Sequence, residues 1–430
     1  MSRLKEIWSR IKQHPMSRVG PGLITGVADD DPSGIVTYSQ AGAQFGLNML
    51  WTMPLAYPLM SAVQATCARI GRVTGRGLAD NIKRSFHPAV LFGVVFLLLI
   101  ANTLNIAADV AAMGEVAELV TGLDRHLMTA GFVFASLALQ IFVPYHRYVF
   151  FLKWLTLSLL AYAAVLFTVH VPWGEVFVRT FWPQITFDAS TAAVVVGIFG
   201  TTISPYLFFW QASEEVEDMN AKSSYDTIGA APLTINDRDA VPELRRISWD
   251  TWSGMLYSNL TSYFIILATA VTLHTAGITD ITTAAQAASA LRPLAGDFAF
   301  ILFAVGILGV GLIGVPVLAG SAAYALAETM GWEWGLERTV KQAKGFYGII
   351  AISVLAALAI QYSPISPMKA LFWSAVINGV VAVPLLVVIL LLASKKSVMG
   401  KYVAPRYLQV MGWMTTGVMG FAAVWMFIPG

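Results

Sequence analysis

Residues 29–34 read DDDPSG: three aspartates, a proline, a serine and a glycine. They lie between PGLITGVA (21–28) and IVTYSQAGAQFG (35–46), two stretches that are apolar enough for the interior of a membrane. Charged side chains inside a bilayer are costly and rare, and they are usually functional. The interpretation of the whole chain therefore depends on why three carboxylates and a helix breaker stand at this depth.

The composition is that of a polytopic, all-α membrane protein. Of the 430 residues, 57% are hydrophobic and only 12% charged, whereas ordinary globular domains carry about a quarter charged residues. The net charge of +2, with the Lys and Arg scattered among loops, argues against a nucleic-acid partner. The single cysteine, Cys67, excludes an internal disulfide and a Cys-based metal site. Residues 1–18 are basic and lack the apolar core of a signal peptide, so we expect a cytosolic tail or helix.

Hydropathy predicts eleven membrane-spanning helices of about 20 residues each within one transporter domain, residues 1–430. The predicted spans are 21–44, 48–70, 90–118, 128–144, 149–170, 190–212, 251–273, 297–325, 345–362, 369–393 and 408–428. The one long connection, 213–249, is polar and contains Pro and Gly, which predicts an exposed cytosolic loop. The acidic run EEVED (214–218) inside it is expected to be solvated, although a cation-gathering vestibule is the alternative.

The distribution of basic residues predicts the orientation. With the N-terminus in the cytosol, all but four of the 27 Lys and Arg lie on the cytosolic side, the exceptions being Arg125, Arg179, Arg292 and Lys369. This agrees with the positive-inside rule. Eleven spans then place the C-terminus outside, and a prokaryotic inner membrane is the expected location.

Two predicted spans are interrupted near their middle. DPSG (31–34) lies in the first, and TTISPY (201–206) lies in the sixth. Proline removes a backbone hydrogen bond, and unpaired backbone is tolerated at this depth only where it lines a protein-enclosed cavity. Interruptions five spans apart predict two inverted repeats, 21–170 and 190–393, with 408–428 as an extra helix, and they point to a transporter's binding site.

A purely structural interpretation competes with this one. Asp31 followed by Pro32 is also a good helix start, with the aspartate as N-cap and the proline at the first helical position. Pro205 could likewise be an ordinary kink. This interpretation accounts for one Asp-Pro pair, but it leaves three consecutive carboxylates unexplained.

Several motifs in the same order resemble the NRAMP family of divalent-metal transporters, from about Gly20 to Tyr402. They are GPG at 20–22, DPSG at 31–34, AGAQFG at 41–46, QATCARIGRVTGRGLADNIKR at 64–84 and SKKSVMGKY at 394–402. The resemblance implies a LeuT-like fold with unwound helices 1 and 6. It also implies a metal site made by an Asp and an Asn of span one with a Met and a backbone carbonyl of span six.

The chain departs from the family pattern at most of these positions. By the resemblance, Asp31 is the metal-binding Asp, Gly34 replaces the Asn, and the Thr201 carbonyl is the backbone ligand. Ser204 stands where the family has Met, and Tyr206 stands where it has a proton-handling His. We interpret Gly34 as enlarging the cavity and the loss of the thioether as removing the soft ligand.

Two further departures concern span ten and span three. Span ten has Ser374-Ala375 in place of the family's Ser-Gln. The acid pair of span three, which the family uses for proton movement, is broken: depending on register, the pair is Asn105 with Ala108 or Asp109 with Ala112. Transport is therefore expected to be uncoupled from protons, with Asp29, Asp30 and Asp109 as the remaining possible proton acceptors.

The remaining oxygen ligands suit a hard cation. Asp31, Ser204, the Thr201 carbonyl and Asp30 would fit a largely hydrated Mg²⁺, which usually keeps several waters and uses one or two carboxylates. This matches the NRAMP-related magnesium transporters, which the chain resembles. We expect a monomeric carrier of Mg²⁺ and Mn²⁺ in the lipid bilayer, with Ca²⁺ poorly transported and with no cofactor.

Three other functions remain open at this stage. The first is a conventional proton-coupled Mn²⁺/Fe²⁺ carrier, and the second is a LeuT-fold sodium symporter for an organic solute such as an amino acid. The third is a magnesium channel, although repeats with broken helices favour alternating access. The sequence contains no convincing Ser-His-Asp or zinc-protease motif, so an enzyme is not expected.

Overall fold

The computed structural model describes residues 20–143, 155–186, 188–223, 231–236, 238, 240–336, 338–360 and 366–427. Across these residues the regular structure is helical and contains no strand, which confirms the predicted all-α class. The basic tail 1–18, the start of the predicted fifth span and part of the predicted 213–249 loop lie outside the described residues.

In its described residues, the first part of the chain forms eight α-helices. They are α1 (Pro21–Asp29), α2 (Pro32–Phe45), α3 (Thr52–Thr74), α4 (Leu78–Ser85), α5 (Pro88–Thr121), α6 (Arg125–Phe142), α7 (Leu160–Val165) and α8 (Trp173–Phe181). The second part forms ten more in its described residues: α9 (Ala189–Thr202), α10 (Pro205–Ser223), α11 (Ala240–Thr269), α12 (Ala284–Ser289), α13 (Arg292–Ala295), α14 (Ala299–Met330), α15 (Lys344–Ile360), α16 (Pro367–Ser394), α17 (Lys396–Met399) and α18 (Arg406–Trp425).

Six helical segments of the described chain are long and apolar enough to cross a membrane. They cover residues 88–121, 125–142, 189–220, 240–274, 292–330 and 367–394, and α15 is a shorter apolar helix. Predicted span one, which is divided into α1 and α2 and contains three aspartates, is not among them. The count of eleven spans and the boundaries of the two repeats stay predictions.

Both predicted interruptions are present. Helix α1 ends at Asp29 and α2 begins at Pro32; helix α9 ends at Thr202 and α10 begins at Pro205. In each case a proline is the first residue of the second half-helix. An N–H at that position would have no acceptor within the helix, so the proline removes no helical hydrogen bond. Two residues are left between the halves at each break, which exposes polar backbone inside the protein.

The two breaks are enclosed by the surrounding helices. Helices α1 and α2 pack along α11, and α2 also lies against α16. Helix α9 packs on α16, α10 packs on α3 and α14, and α5 packs on both α14 and α16. The interrupted backbone therefore lies inside the bundle, as membrane depth requires.

The prediction that residues 213–249 form one exposed loop is wrong at both ends of this segment. Helix α10 continues to Ser223 and α11 already begins at Ala240. The acidic run is not a solvated face: Glu215 is fully buried and lies 2.6 Å from the Arg246 guanidinium. Glu217 accepts hydrogen bonds from the Tyr324 hydroxyl at 2.6 Å and from a backbone N–H at 2.8 Å. Charged residues continue the helices here because partners distant in sequence neutralise them.

Candidate metal-ion site

Asp31 lies at the break between α1 and α2 and is 1% exposed. It is the N-cap of α2, and its Oδ1 accepts hydrogen bonds from the Gly34 N–H at 2.8 Å and from the Ser33 hydroxyl at 2.7 Å. These contacts satisfy donors at the start of α2 that have no intrahelical partner. One carboxylate oxygen is therefore used to begin the helix.

The second carboxylate oxygen of Asp31 faces two other helices. Its Oδ2 accepts a hydrogen bond from the Asn105 amide of α5 at 2.8 Å and lies 3.4 Å from the Tyr206 hydroxyl of α10. The Tyr206 hydroxyl also lies 3.1 Å from the carbonyl oxygen of Ala28. All four donors described for Asp31 are neutral, so its buried charge is hydrogen-bonded but not neutralised. Such a group favours a cation.

A polar chain leads from Asp31 to a cavity at one end of the bundle. Ser374 of α16 donates a hydrogen bond to Asn105 Oδ1 at 2.7 Å, and Ser374 also lines the cavity. The cavity walls come from α5, α6 and α16 and include Arg125, Thr129 and Trp373. From the sequence, Asn105 and Ser374 stood out only as the remains of broken family motifs. Their contact across α5 and α16 connects Asp31 to the cavity through two hydrogen bonds.

The residues at the second break satisfy one another. The Ser204 hydroxyl lies 2.7 Å from both the Gly200 carbonyl and the Thr201 carbonyl. The predicted ligand carbonyl of Thr201 is therefore occupied by the predicted ligand hydroxyl of Ser204. An ion that used both groups would have to displace this hydrogen bond.

Gly34 does not create the additional room that its small size suggested. A Cβ atom at Gly34 would lie 3.0 Å from Thr201 Oγ1 and 3.3 Å from the Tyr38 ring. The space that an Asn side chain would need is filled by these neighbours, and Thr201 Oγ1 is itself buried without a hydrogen bond among the described residues. The expectation of an enlarged cavity at Gly34 is wrong for this conformation, because α9 packs closely against the start of α2.

Asp30 faces a different helix from Asp31. Its Oδ1 lies 2.9 Å from the Ser258 hydroxyl and 3.5 Å from the Ser262 hydroxyl, both on α11. Asp29 lies on the same side, with its Oδ2 2.5 Å from Ser258 Oγ. The three aspartates of DDDPSG are therefore divided between two neighbouring positions, with Asp31 alone among α2, α5 and α10.

Helix α14 approaches Asp31 closely through a glycine. A Cβ atom at Gly314 would lie 3.2 Å from the Cβ of Asp31. A side chain at Gly311 would likewise meet Met113 of α5, so α14 packs closely along this stretch.

Comparison with known proteins places this arrangement in a family. The family model described as "Natural resistance-associated macrophage protein-like" (Nramp) matches residues 22–429. The chain belongs to the Nramp family. The resemblance drawn from the motifs is thereby confirmed, and membership makes this Nramp protein an integral membrane transporter and not an enzyme.

Two curated relatives are divalent metal cation transporters named MntH. The Nramp protein is 25% identical to that of Acidiphilium cryptum over 400 residues, which cover 84% of this chain and 82% of the relative. It is 26% identical to that of Bradyrhizobium diazoefficiens over 426 residues, which cover 96% of this chain and 88% of the relative.

Solved structures show the same fold. The crystal structure of an Eremococcus coleocola manganese transporter matches with a TM-score of 0.73 at 16% identity and covers 94% of this chain and 85% of its own. Mhp1, a nucleobase-cation-symport-1 family transporter, matches with a TM-score of 0.53 at 13% identity and covers 95% and 92%. The predicted LeuT-like fold is thereby confirmed.

Proposed function

We propose that this Nramp protein carries Mg²⁺, and also Mn²⁺, across the bacterial inner membrane by alternating access and without obligatory coupling to protons. The observation that carries the proposal is Asp31, a buried carboxylate at the break of a membrane helix whose hydrogen-bond donors are all neutral. A divalent cation supplies the missing positive charge. The names of the curated relatives support the divalent metal class.

The chemistry of the nearby groups favours a hard ion. The candidate ligands are the Asp31 carboxylate, the Ser204 hydroxyl and the Thr201 carbonyl, and each of them is an oxygen. Thioethers select softer metals, whereas oxygen ligands suit Mg²⁺ and Mn²⁺. The C-terminal end of half-helix α1, which ends at Asp29, adds negative potential towards the cation.

In this proposal the ion site at Asp31 opens alternately to the two sides of the membrane. With the N-terminus in the cytosol, the cavity that reaches Ser374 opens outwards, because it lies near the start of α6 and the start of α16. On the opposite side, Arg246 joins α11 to Glu215 of α10 and holds that end together. Ion binding at Asp31 would precede separation of these helices.

The two side chains that connect Asp31 to the cavity carry no titratable proton, although His126 is among the residues that line the cavity. Asn105 and Ser374 have no ionisable group, and an unperturbed tyrosine titrates near pH 10, far above the range of a histidine. The driving force is then the membrane potential. It is worth about 2.3 kcal/mol per elementary charge per 100 mV, and about twice that for a divalent ion.

The test is ion uptake into proteoliposomes that contain a magnesium-sensitive dye, with the internal pH recorded in parallel. We expect Mg²⁺ uptake that depends on the membrane potential, leaves the internal pH unchanged and is lost in Asp31→Ala. Uptake that persists in Asp31→Ala would remove Asp31 from the site.

The alternative is proton-coupled Mn²⁺ or Fe²⁺ transport. One observation favours it: Asp109 is fully buried on α5, one turn from Asn105, where it could take up a proton. The absence of Mg²⁺ flux, together with acidification during Mn²⁺ uptake, would establish this alternative in the same experiment. Because the chain belongs to the Nramp family, a divalent-metal carrier is favoured over an organic-solute symporter and over a channel.

A further inference from the structure

A second group of acidic side chains lies where α1 ends, against α11 and away from Asp31. Asp29 and Asp30 are 0% and 1% exposed. The Ser258 hydroxyl lies between them, 2.5 Å from Asp29 Oδ2 and 2.9 Å from Asp30 Oδ1. Two carboxylates thus converge on one serine in the interior of a membrane protein.

The hydrogen bonds at this position are too few for two carboxylates. A serine hydroxyl has one hydrogen to donate, so Ser258 can bond only one of its two carboxylate neighbours at a time. The Ser262 hydroxyl lies 2.9 Å from the Ser258 carbonyl and 3.5 Å from Asp30 Oδ1. Asp29 Oδ1 and Asp30 Oδ2 are buried with no hydrogen-bond partner among the described residues. Buried carboxylates of this kind must either take up a proton or be paired with a cation.

A third buried side chain lies within electrostatic reach of these carboxylates. Tyr38 of α2 is fully buried, and its hydroxyl is close enough to Asp29 and Asp30 for their charges to act on it. Within the described part of the chain the Tyr38 hydroxyl makes no hydrogen bond. The position therefore contains three unpartnered oxygens, contributed by Tyr38 and the two aspartates.

We propose that Asp29, Asp30, Tyr38, Ser258 and Ser262 form a second binding site for a divalent cation. All five side chains offer hard oxygen atoms, and Mg²⁺ or Mn²⁺ is commonly held by one or two carboxylates while it keeps several waters. Among the described residues no group of three or more His, Cys, Asp or Glu side chains could hold a metal ion, so an ion at this position would need water to complete its coordination. The site lies at the C-terminal end of half-helix α1, which favours cations.

The second site rests on the proposed function, because it takes the same ion. Asp30 and Asp31 are adjacent in the chain, and two divalent cations at neighbouring sites would repel each other strongly. The ion therefore occupies the two sites in turn, first at Asp31 and then between α1 and α11. With the second site, all three consecutive aspartates have a role in ion binding. The Asp31 site alone would explain only one of them.

The test counts bound Mn²⁺ by electron paramagnetic resonance on the purified full-length protein, after removal of metal with a chelator. Asp31→Asn removes the first site, and we expect that variant to keep a single Mn²⁺. The triple variant with Asp29→Asn and Asp30→Asn should bind none. Tyr38→Phe in the Asp31→Asn background should weaken binding about fivefold, as expected for the loss of one neutral polar contact.

Two further variants are controls for misfolding and for a general effect of removing charge. Ser258→Ala in the Asp31→Asn background leaves every aspartate of the second site in place, and it should also weaken Mn²⁺ binding. Asp109→Asn in that background is the matched control, since it removes a buried carboxylate on α5, and it should keep the ion. An equal loss in this control would overturn the proposal.

The outcomes separate this inference from the proposed function. Wild-type protein that binds one Mn²⁺, with none bound after Asp31→Asn, would overturn the second site and leave the proposed function standing. Wild-type protein that neither binds nor transports a divalent ion would overturn both. Retention of one ion by Asp31→Asn, and its loss in the triple variant, would establish the second site.

Discussion

Asp31 caps a helix and, in the proposed function, also binds the ion, and the two roles use different oxygens. Oδ1 caps α2 through Ser33 and Gly34, whereas Oδ2 faces Asn105 and Tyr206. Asp31→Asn should keep a cap oxygen and lose the charge. Asp31→Ala should lose both and should unfold more easily by about 1 kcal/mol, the usual value of an N-cap. Thermal unfolding of the two variants measures this difference, and equal stabilities would show that the cap contributes nothing.

Ser204 is the residue at which we expect a substitution to change the ion selectivity. A methionine there would restore a soft thioether at the break between α9 and α10 and would remove the hydroxyl that now bonds to the Thr201 carbonyl. Ser204→Met should raise the ratio of Mn²⁺ or Cd²⁺ uptake to Mg²⁺ uptake, since soft ligands disfavour Mg²⁺. Competition between these ions in proteoliposomes measures the ratio. Ser204→Ala is the control that removes the hydroxyl without adding sulfur, and an identical ratio in both variants would exclude position 204 from the site.

At the level of the helices, α9 owes its start to Asp188. The Asp188 carboxylate accepts hydrogen bonds from the Thr191 N–H at 2.7 Å and the Ser190 hydroxyl at 2.6 Å. These bonds lower the pKa of Asp188 to about 2. Because the pKa is lower in the folded protein, the stabilisation is present above the unfolded value of about 4 and is lost as the pH falls through about 2.

The corresponding prediction concerns the N-cap of α9. Asp188→Ala should lower the free energy of unfolding by about 1 kcal/mol, whereas Asp188→Asn, which keeps a cap oxygen, should lower it by less. Thermal unfolding at neutral pH measures both changes. Equal losses would mean that the charge of Asp188 matters more than its hydrogen bonds.

For the whole molecule, the ion pairs of Arg246 connect α11 to α10 at one end of the bundle. Arg246 lies 2.6 Å from the buried Glu215 and 3.3 Å from Glu243. Arg246→Ala would leave Glu215 buried without its cation, and breaking a buried pair in this way costs about 3–5 kcal/mol.

The expected result is a large loss of thermal stability in Arg246→Ala and a smaller one in Glu215→Gln, which leaves no buried charge behind. Arg338→Ala serves as the control, because its ion pair with Glu333 is half exposed and should contribute only about 0–1 kcal/mol. Comparable losses of stability in the Arg246 and Arg338 variants would show that the ion pair between α10 and α11 contributes no more than an exposed one.

Local properties of the sequence determined the membrane class, the helical fold and the position of both helix breaks. Hydropathy and the missing N–H of proline are properties of the local sequence. The breaks at 29–34 and 201–206 could therefore be predicted from the residues of these segments alone. The same reasoning failed for EEVED, which is polar by composition but contains the fully buried Glu215, paired with Arg246.

Only the tertiary structure decided which side chains meet at the site. Asn105 lies 74 residues from Asp31, and Ser258 lies 228 residues from Asp30, so no local pattern could pair them. The division of the three aspartates between two positions likewise depends on how α1 is rotated between its neighbours. That rotation follows from packing against α11 and α14, and packing depends on distant residues that must be brought together before they can interact.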